Sequence, residues 1–364
     1  MADPAARVAR TVLAENLKVQ KGESVLIEAW THTLPLVPAF VREARRLGAR
    51  PTVLYEDEAA WWDAVEAGQT RVLGRLSDAE RSAIKNADVY IYFWGPEDRP
   101  RVAGLPDAVQ EEVVGFNEEW YRLAHKAGLR GCRMQVGLAT PPQAKIFGMD
   151  AKKWQAQMLE AGSIGAGKMR AKAERVRKAL EEGSELRLQH PNGTDLTLRL
   201  KGVHARYDVG AVGPADMKRR YGMMTNNPSG QVIAAIDRSK AEGTFVANRP
   251  VFIGPNRFDG AQWTFEAGKL VRHSMGSGSE IFEKQFSSAP KGREKLAFIS
   301  IGLNPKVREL PPLEDTEEGA VLAGLGNNTG FGGTLKIPFQ GFGMVGGGTV
   351  EIDGKTVVRR GKVL

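Results

Sequence analysis

The sequence predicts two domains of different class: an α/β N-terminal domain with a mostly parallel sheet over residues 1–182, and a β-rich, barrel-like α+β domain over residues 183–364. Three observations carry this. The chain has 364 residues, more than the ~250–300 at which a single core stops growing. Up to residue 182 short apolar runs alternate with helical stretches, the pattern of parallel strands covered on both faces. From Ser184 onward the apolar period falls to two, broken by glycine turns.

The elements follow in order. Residues 8–17 have a helical pattern, and Lys21-Gly22-Glu23 turns the chain into the apolar strand Ser24-Val25-Leu26-Ile27-Glu28. A helix from about Leu34 to Leu47 stops at Gly48, and Pro51 to Tyr55 is the next strand. Asp88 to Trp94 is a third buried strand, bounded by Gly95-Pro96. Any site of such a domain lies at the carboxyl ends of its strands. A long helical stretch from Ala151 to Glu182 closes this half as a bridge and ends at Gly183. Glu185–Leu188 and Asp195–Leu200 then alternate around Pro191-Asn192-Gly193, a hairpin signal. Glycines crowd residues 302–354, and Thr349–Ile352 with Lys355–Val358 around Asp353-Gly354 forms a closing hairpin.

Composition narrows the function classes. Hydrophobic content of 42% and charged content of 26% are those of a globular chain, and no apolar run approaches the ~18–20 residues of a membrane helix. No basic region leads into an apolar stretch at the N-terminus, so a cytoplasmic protein is expected. A single cysteine, Cys132, excludes an internal disulfide and a thiolate zinc site, and reads as a small buried hydrophobe. The net charge of +8 is scattered, without the basic stripe and stacking aromatics of a nucleic-acid site.

Local motifs give little chemistry. Gly162-Ser163-Ile164-Gly165-Ala166-Gly167-Lys168 resembles a phosphate loop, but Met169 follows where a hydroxyl must reach magnesium, and a helix precedes it where a strand is required. Its glycines read as packing positions inside a helix. The five histidines (His32, His125, His190, His204, His273) share no i, i+4 or His-x-His spacing that would aim two at one metal. Neither Ser277 nor Ser229 lies in a Gly-x-Ser-x-Gly turn.

Longer segments carry a resemblance. Asn192-Gly193-Thr194-Asp195-Leu196, Asn226-Asn227-Pro228-Ser229-Gly230-Gln231-Val232, Ser300-Ile301-Gly302-Leu303-Asn304-Pro305 and Gly332-Gly333 occur in the order and spacing of the M29 aminopeptidases. Gly22–Ile27 and Arg45–Pro51 resemble that family's first strand, helix and second strand, so the similarity spans nearly the whole chain. The resemblance implies an α/β domain, a barrel-like domain, a site facing an internal cavity, and a homodimer. It also implies two adjacent divalent ions that activate a water and polarise a carbonyl, held by two glutamates, two histidines and an aspartate. At the matching positions this chain has Gln231, Phe298, Leu322, Gln340 and Phe342. No histidine follows His273. A pocket of amides and hydrocarbon lacks the negative charge that offsets dehydration of a dication. No metal and no cofactor are therefore expected.

The expected function is a metal-independent, hydrolase-like divergent enzyme acting on a small polar or aromatic amide or carboxylate compound in the inter-domain cavity. Arg219 and Arg220 would pair with a carboxylate, and Asn226, Gln231, Thr329 and Gln340 would hydrogen-bond the compound. Tyr221 and His273 are the candidate proton-transfer groups, with Asp315 as partner. A non-catalytic binding protein and an aminopeptidase with displaced ligands are the alternatives. Membrane and nucleic-acid partners are not expected.

Overall fold

The first strand illustrates how the sequence sets the architecture. In β1 (Ser24–Trp30), successive side chains leave on opposite faces, so Val25, Ile27 and Ala29 are buried on one side while Leu26, Glu28 and Trp30 share the other. The helix that follows, Val37–Arg46, stops because Gly48 takes φ +79°, and the chain returns as β2 (Arg50–Glu56). β3 (Val89–Phe93) and β4 (Arg130–Met134) complete the series, with Cys132 fully buried in β4. All neighbours pair in parallel in the order β2, β1, β3, β4, and a fifth strand, Met224–Asn227, adds to β4. This is the parallel α/β sheet that the alternating pattern predicts.

The computed structural model describes residues 3–200, 202–219, 221–236, 240–254 and 256–364. The chain forms two compact units, Met1–Ala166 with Gly210–Ser229, and Gly167–Val209 with Gly230–Leu364. The division therefore differs from one at residue 182. Residues 210–229 return to the first unit because their strand hydrogen-bonds to β4, and most of the helix Ala166–Glu182 belongs to the second.

The single long helix expected over 151–182 is two helices, Ala151–Gly162 and Ala166–Glu182. Polar side chains from distant segments cap the break. The Asn227 amide donates to the Gly162 carbonyl at 2.8 Å, and Asn16 Oδ1 accepts from the Ala166 amide at 2.9 Å. A Cβ on Gly162 would meet Asn227 Oδ1 at 2.3 Å, so this glycine admits a capping side chain.

The second unit is antiparallel. One sheet has eight strands, with Glu185–His190 and Thr194–Arg199 paired as the predicted hairpin and Thr349–Ile352 beside them. Another has five, in the order Gln340–Val345, Val321–Gly326, Leu296–Gly302, Gln231–Ala235 and His204–Asp208, and Val251–Ile253 pairs with Asn256–Phe258 as a small two-stranded sheet. The middle strand of the five, Leu296–Gly302, is buried at every position. Among the described residues no helix is long and apolar enough to cross a membrane.

Candidate functional site

The five-stranded sheet of the second unit sorts its residues by register. Phe298 stands opposite Ala235 and Gly324, and Gly324 opposite Phe342. One row on, Ser300 faces Ile233 and Leu322, with Met344 beyond Leu322. A further row holds Asp208, Gln231 and Gly302. Because alternate residues share a face, Gln231, Phe298, Leu322 and Phe342 all lie on one side of this sheet, with Gln340 at its edge strand.

That side is mostly hydrocarbon. Phe298, Leu322, Ile233 and Met344 are buried in one apolar cluster, against which Phe342 and Phe331 pack. The Phe298 ring lies 4.6 Å from the ring of Phe331 and 5.9 Å from that of Phe342.

Polar groups gather at the Gln231 end. Ser300 Oγ donates to Gln231 Oε1 at 3.0 Å, and no hydrogen bond among the described residues engages Gln231 Nε2. Asp315, in the short 3-10 helix Glu314–Thr316, has its carboxyl pushed up to about 6, by burial first and then by the charge of Asp208. Burial also holds Glu314 well above the carboxylate range, and its Oε1 is buried without a hydrogen-bond partner among the described residues. Glu317 and Glu318, two and three residues beyond Asp315, are instead paired with cations: Glu317 with Arg308 at 3.8 Å and Glu318 with Lys172. One acidic run thus contains two carboxyls biased toward the protonated form by burial, Glu314 and Asp315, and two in ion pairs, Glu317 and Glu318.

The other expected site residues belong to different elements and to both units. Gln340 Nε2 donates to the Asn327 carbonyl at 2.7 Å and Thr329 Oγ1 to Asn327 Oδ1 at 2.9 Å, so these two meet at Asn327. His273 belongs to the eight-stranded sheet, where Nε2 lies 3.0 Å from Glu283 and the ring packs on Phe286. Arg219, Tyr221 and Asn226 belong to the first unit. There Arg219 pairs with Asp216 at 2.6 Å, the Tyr221 hydroxyl donates to Glu118 at 2.7 Å, and Asn226 Oδ1 accepts from Gln135 at 2.9 Å. Arg220 lies outside the described residues. Among the described residues, one trio offers convergent metal-ligand atoms, His32, Glu58 and Glu97 in the first unit, all within 4.8 Å of one another. Glu58 Oε2 there already accepts from the Glu97 amide at 2.8 Å, and His32 Nε2 sits 3.0 Å from the Gly137 carbonyl.

Comparison with known proteins places this arrangement. The sequence profile of the thermophilic metalloproteases (M29) matches residues 3–305. The chain belongs to the M29 family. Wild-type AmpT from Thermus thermophilus superposes on this M29 chain with a TM-score of 0.69 at 19% identity, over 99% of each chain. A 2,5-dihydroxypyridine dioxygenase from Pseudomonas putida KT2440 does so with a TM-score of 0.58 at 18% identity, over 100% of this chain and 97% of the other. No curated protein matches significantly by sequence.

Two polar residues of the M29 chain's sheet face escape a reading of the sequence, Asp208 and Ser300. Asp208 ends a strand whose alternation, His204, Arg206, Asp208, puts three polar side chains on one face, and that period was the available signal. Ser300 sits in an otherwise apolar run and is marked only by its pairing with Gln231.

Proposed function

We propose that this M29 protein is a divergent enzyme working without a two-metal centre, on a small polar or aromatic amide or carboxylate compound. The observation that carries the reading is the apolar cluster: Phe298, Leu322 and Phe342, three of the positions at which the sequence resemblance implies the family's ligands, pack together as hydrocarbon. Dications need anionic oxygen or imidazole donors to replace their water. The side chains on this face do not fit such a pair, and no step is assigned to one. The fold leaves the chemistry open, since one similar structure is AmpT and another a dioxygenase.

In this reading Asp315 exchanges the proton, its carboxyl raised to about 6 and so able to cycle near neutral pH. Burial holds it there, with a smaller push from the charge of Asp208, and Gln231, with Oε1 occupied by Ser300, offers its amide nitrogen to a substrate carbonyl. Turnover of aminoacyl and aryl amides by purified protein, with and without chelator, tests the proposal alongside metal analysis. Chelator-insensitive turnover that disappears in Asp315→Asn is the expected result. About two equivalents of metal with chelator-sensitive turnover would overturn it. The extent of the apolar cluster favours one second reading, a non-catalytic binder, which would appear as ligand stabilisation without product.

A further inference from the structure

In the first unit, the face of the parallel sheet shared by Leu26, Glu28 and Trp30 fronts a cavity of about 530 Å³. Parallel strands covered on both faces are usually apolar throughout. Here β1 contributes Glu28, β2 Glu56, and β3 Tyr90 and Tyr92, while Glu80 enters from the helix Asp78–Lys85. The volume is that of a small-molecule site rather than a packing defect.

The charges are unevenly matched. The Tyr90 hydroxyl donates to Glu28 Oε2 at 2.5 Å, and no other hydrogen bond among the described residues reaches this carboxyl. Burial pushes Glu28 up to about 7. The Tyr90 bond opposes this, and Glu80 and Glu56 add to it. Burial and then Glu80 raise Glu56 as well. Three arginines also line the cavity, Arg75, Arg99 and Arg133, but among the described residues none forms an ion pair with Glu28, Glu56 or Glu80. Arg133 bonds to the Tyr121 hydroxyl, and Arg99 lies 5.0 Å over the Trp94 ring and donates to the Gly95 carbonyl at 3.2 Å.

Aromatic rings surround the acidic floor. Tyr90 stacks on Tyr92 at 6.2 Å with planes 10° apart, and Trp120 lies 4.8 Å from Tyr90. At the lining, Val72 is 71% exposed, Tyr221 55% and Val114 49%, an apolar mouth on a charged chain. An anion would meet the carboxylates, and a neutral ring would bring them no opposite charge. A cation gains from both the carboxylates and the ring faces.

We propose that this cavity binds an organic cation, a protonated or quaternary amine on an aromatic or aliphatic body, with its nitrogen at Glu28 and its body toward Val72 and Val114. The site is separate from the sheet face discussed above and does not depend on that reading. The test is calorimetric titration of the full chain at pH 8 with phenethylamine, with benzyltrimethylammonium, and with the uncharged isostere 2-phenylethanol. Both cations should bind saturably, and phenethylamine at least tenfold more tightly than the alcohol. Glu28→Gln should weaken the cations at least tenfold. Val72→Arg, an exposed change that adds a cation at the mouth, should also weaken them and decides the matter if Glu28→Gln does not fold. Absence of saturable binding by both cations, equal affinity for the alcohol, or unchanged binding in the folded Glu28→Gln protein would overturn the proposal.

Discussion

A Cβ on Gly324 would stand 2.1 Å from Cζ of Phe298, so the missing side chain in one strand is the space occupied by the ring from the next. Gly324→Ala should therefore overpack the cluster and cost about 1–3 kcal/mol. Phe298→Ala should cost about 3–5 kcal/mol by leaving a cavity. Phe298→Glu should cost more than either, because it buries a carboxyl among hydrocarbon. Denaturant unfolding of the three variants ranks them, and a stable Phe298→Glu protein would contradict the packing argument.

Glu28 makes stability depend on pH. Its carboxyl is held up at about 7 against the usual 4.5, so between those values the folded chain keeps a proton that the unfolded chain has released. Stability from this group is then lost as pH rises through that window, by on the order of 3 kcal/mol. Glu28→Gln removes the titration while retaining an acceptor for Tyr90. Relative to wild type, the variant should be more stable at pH 8 than at pH 4, and equal differences at both values would rule the shift out.

Asp315 should behave in the same sense over a lower window. Its carboxyl rises from the usual 3.8 to about 6, with burial the larger cause and Asp208 the smaller. Asp208→Asn should lower the midpoint only in part, leaving it above 3.8, because the burial remains. Carbon-detected NMR titration of the carboxyl reads this directly. Complete return to the ordinary value would show that the like charge, not burial, dominates.

Chelation bears on the second unit. If the sheet face carrying Phe298, Leu322 and Phe342 holds no dications, removing metal takes away no ligand-linked folding energy. EDTA should leave the melting temperature within about 1 °C. A fall of several degrees would mean that bound ions stabilise the fold.

Periodicity alone carried the two-class architecture: alternation of strands and helices before residue 182, then period-two strands with glycine turns, reproduces the parallel sheet and the antiparallel sheets. Those patterns are local, since they record which side of each element faces a core. The break at residues 163–165 was not local. Its caps come from Asn16 and Asn227, which no window around Ala151–Glu182 contains. The same holds for the candidate sites. Gln231, Phe298, Leu322 and Phe342 could be picked out along the chain, but only the strand register put them on one face and brought Ser300 and Asp208 beside Gln231. Glu28 looked like the polar end of an apolar strand. Its raised carboxyl arises because the sheet sets it beside Tyr90, 62 positions away in sequence, with Glu56 and Glu80 close by. Amphipathic period is fixed by neighbours in sequence, whereas charge, burial and hydrogen bonding are fixed by neighbours in space, and that is where the sequence alone stopped.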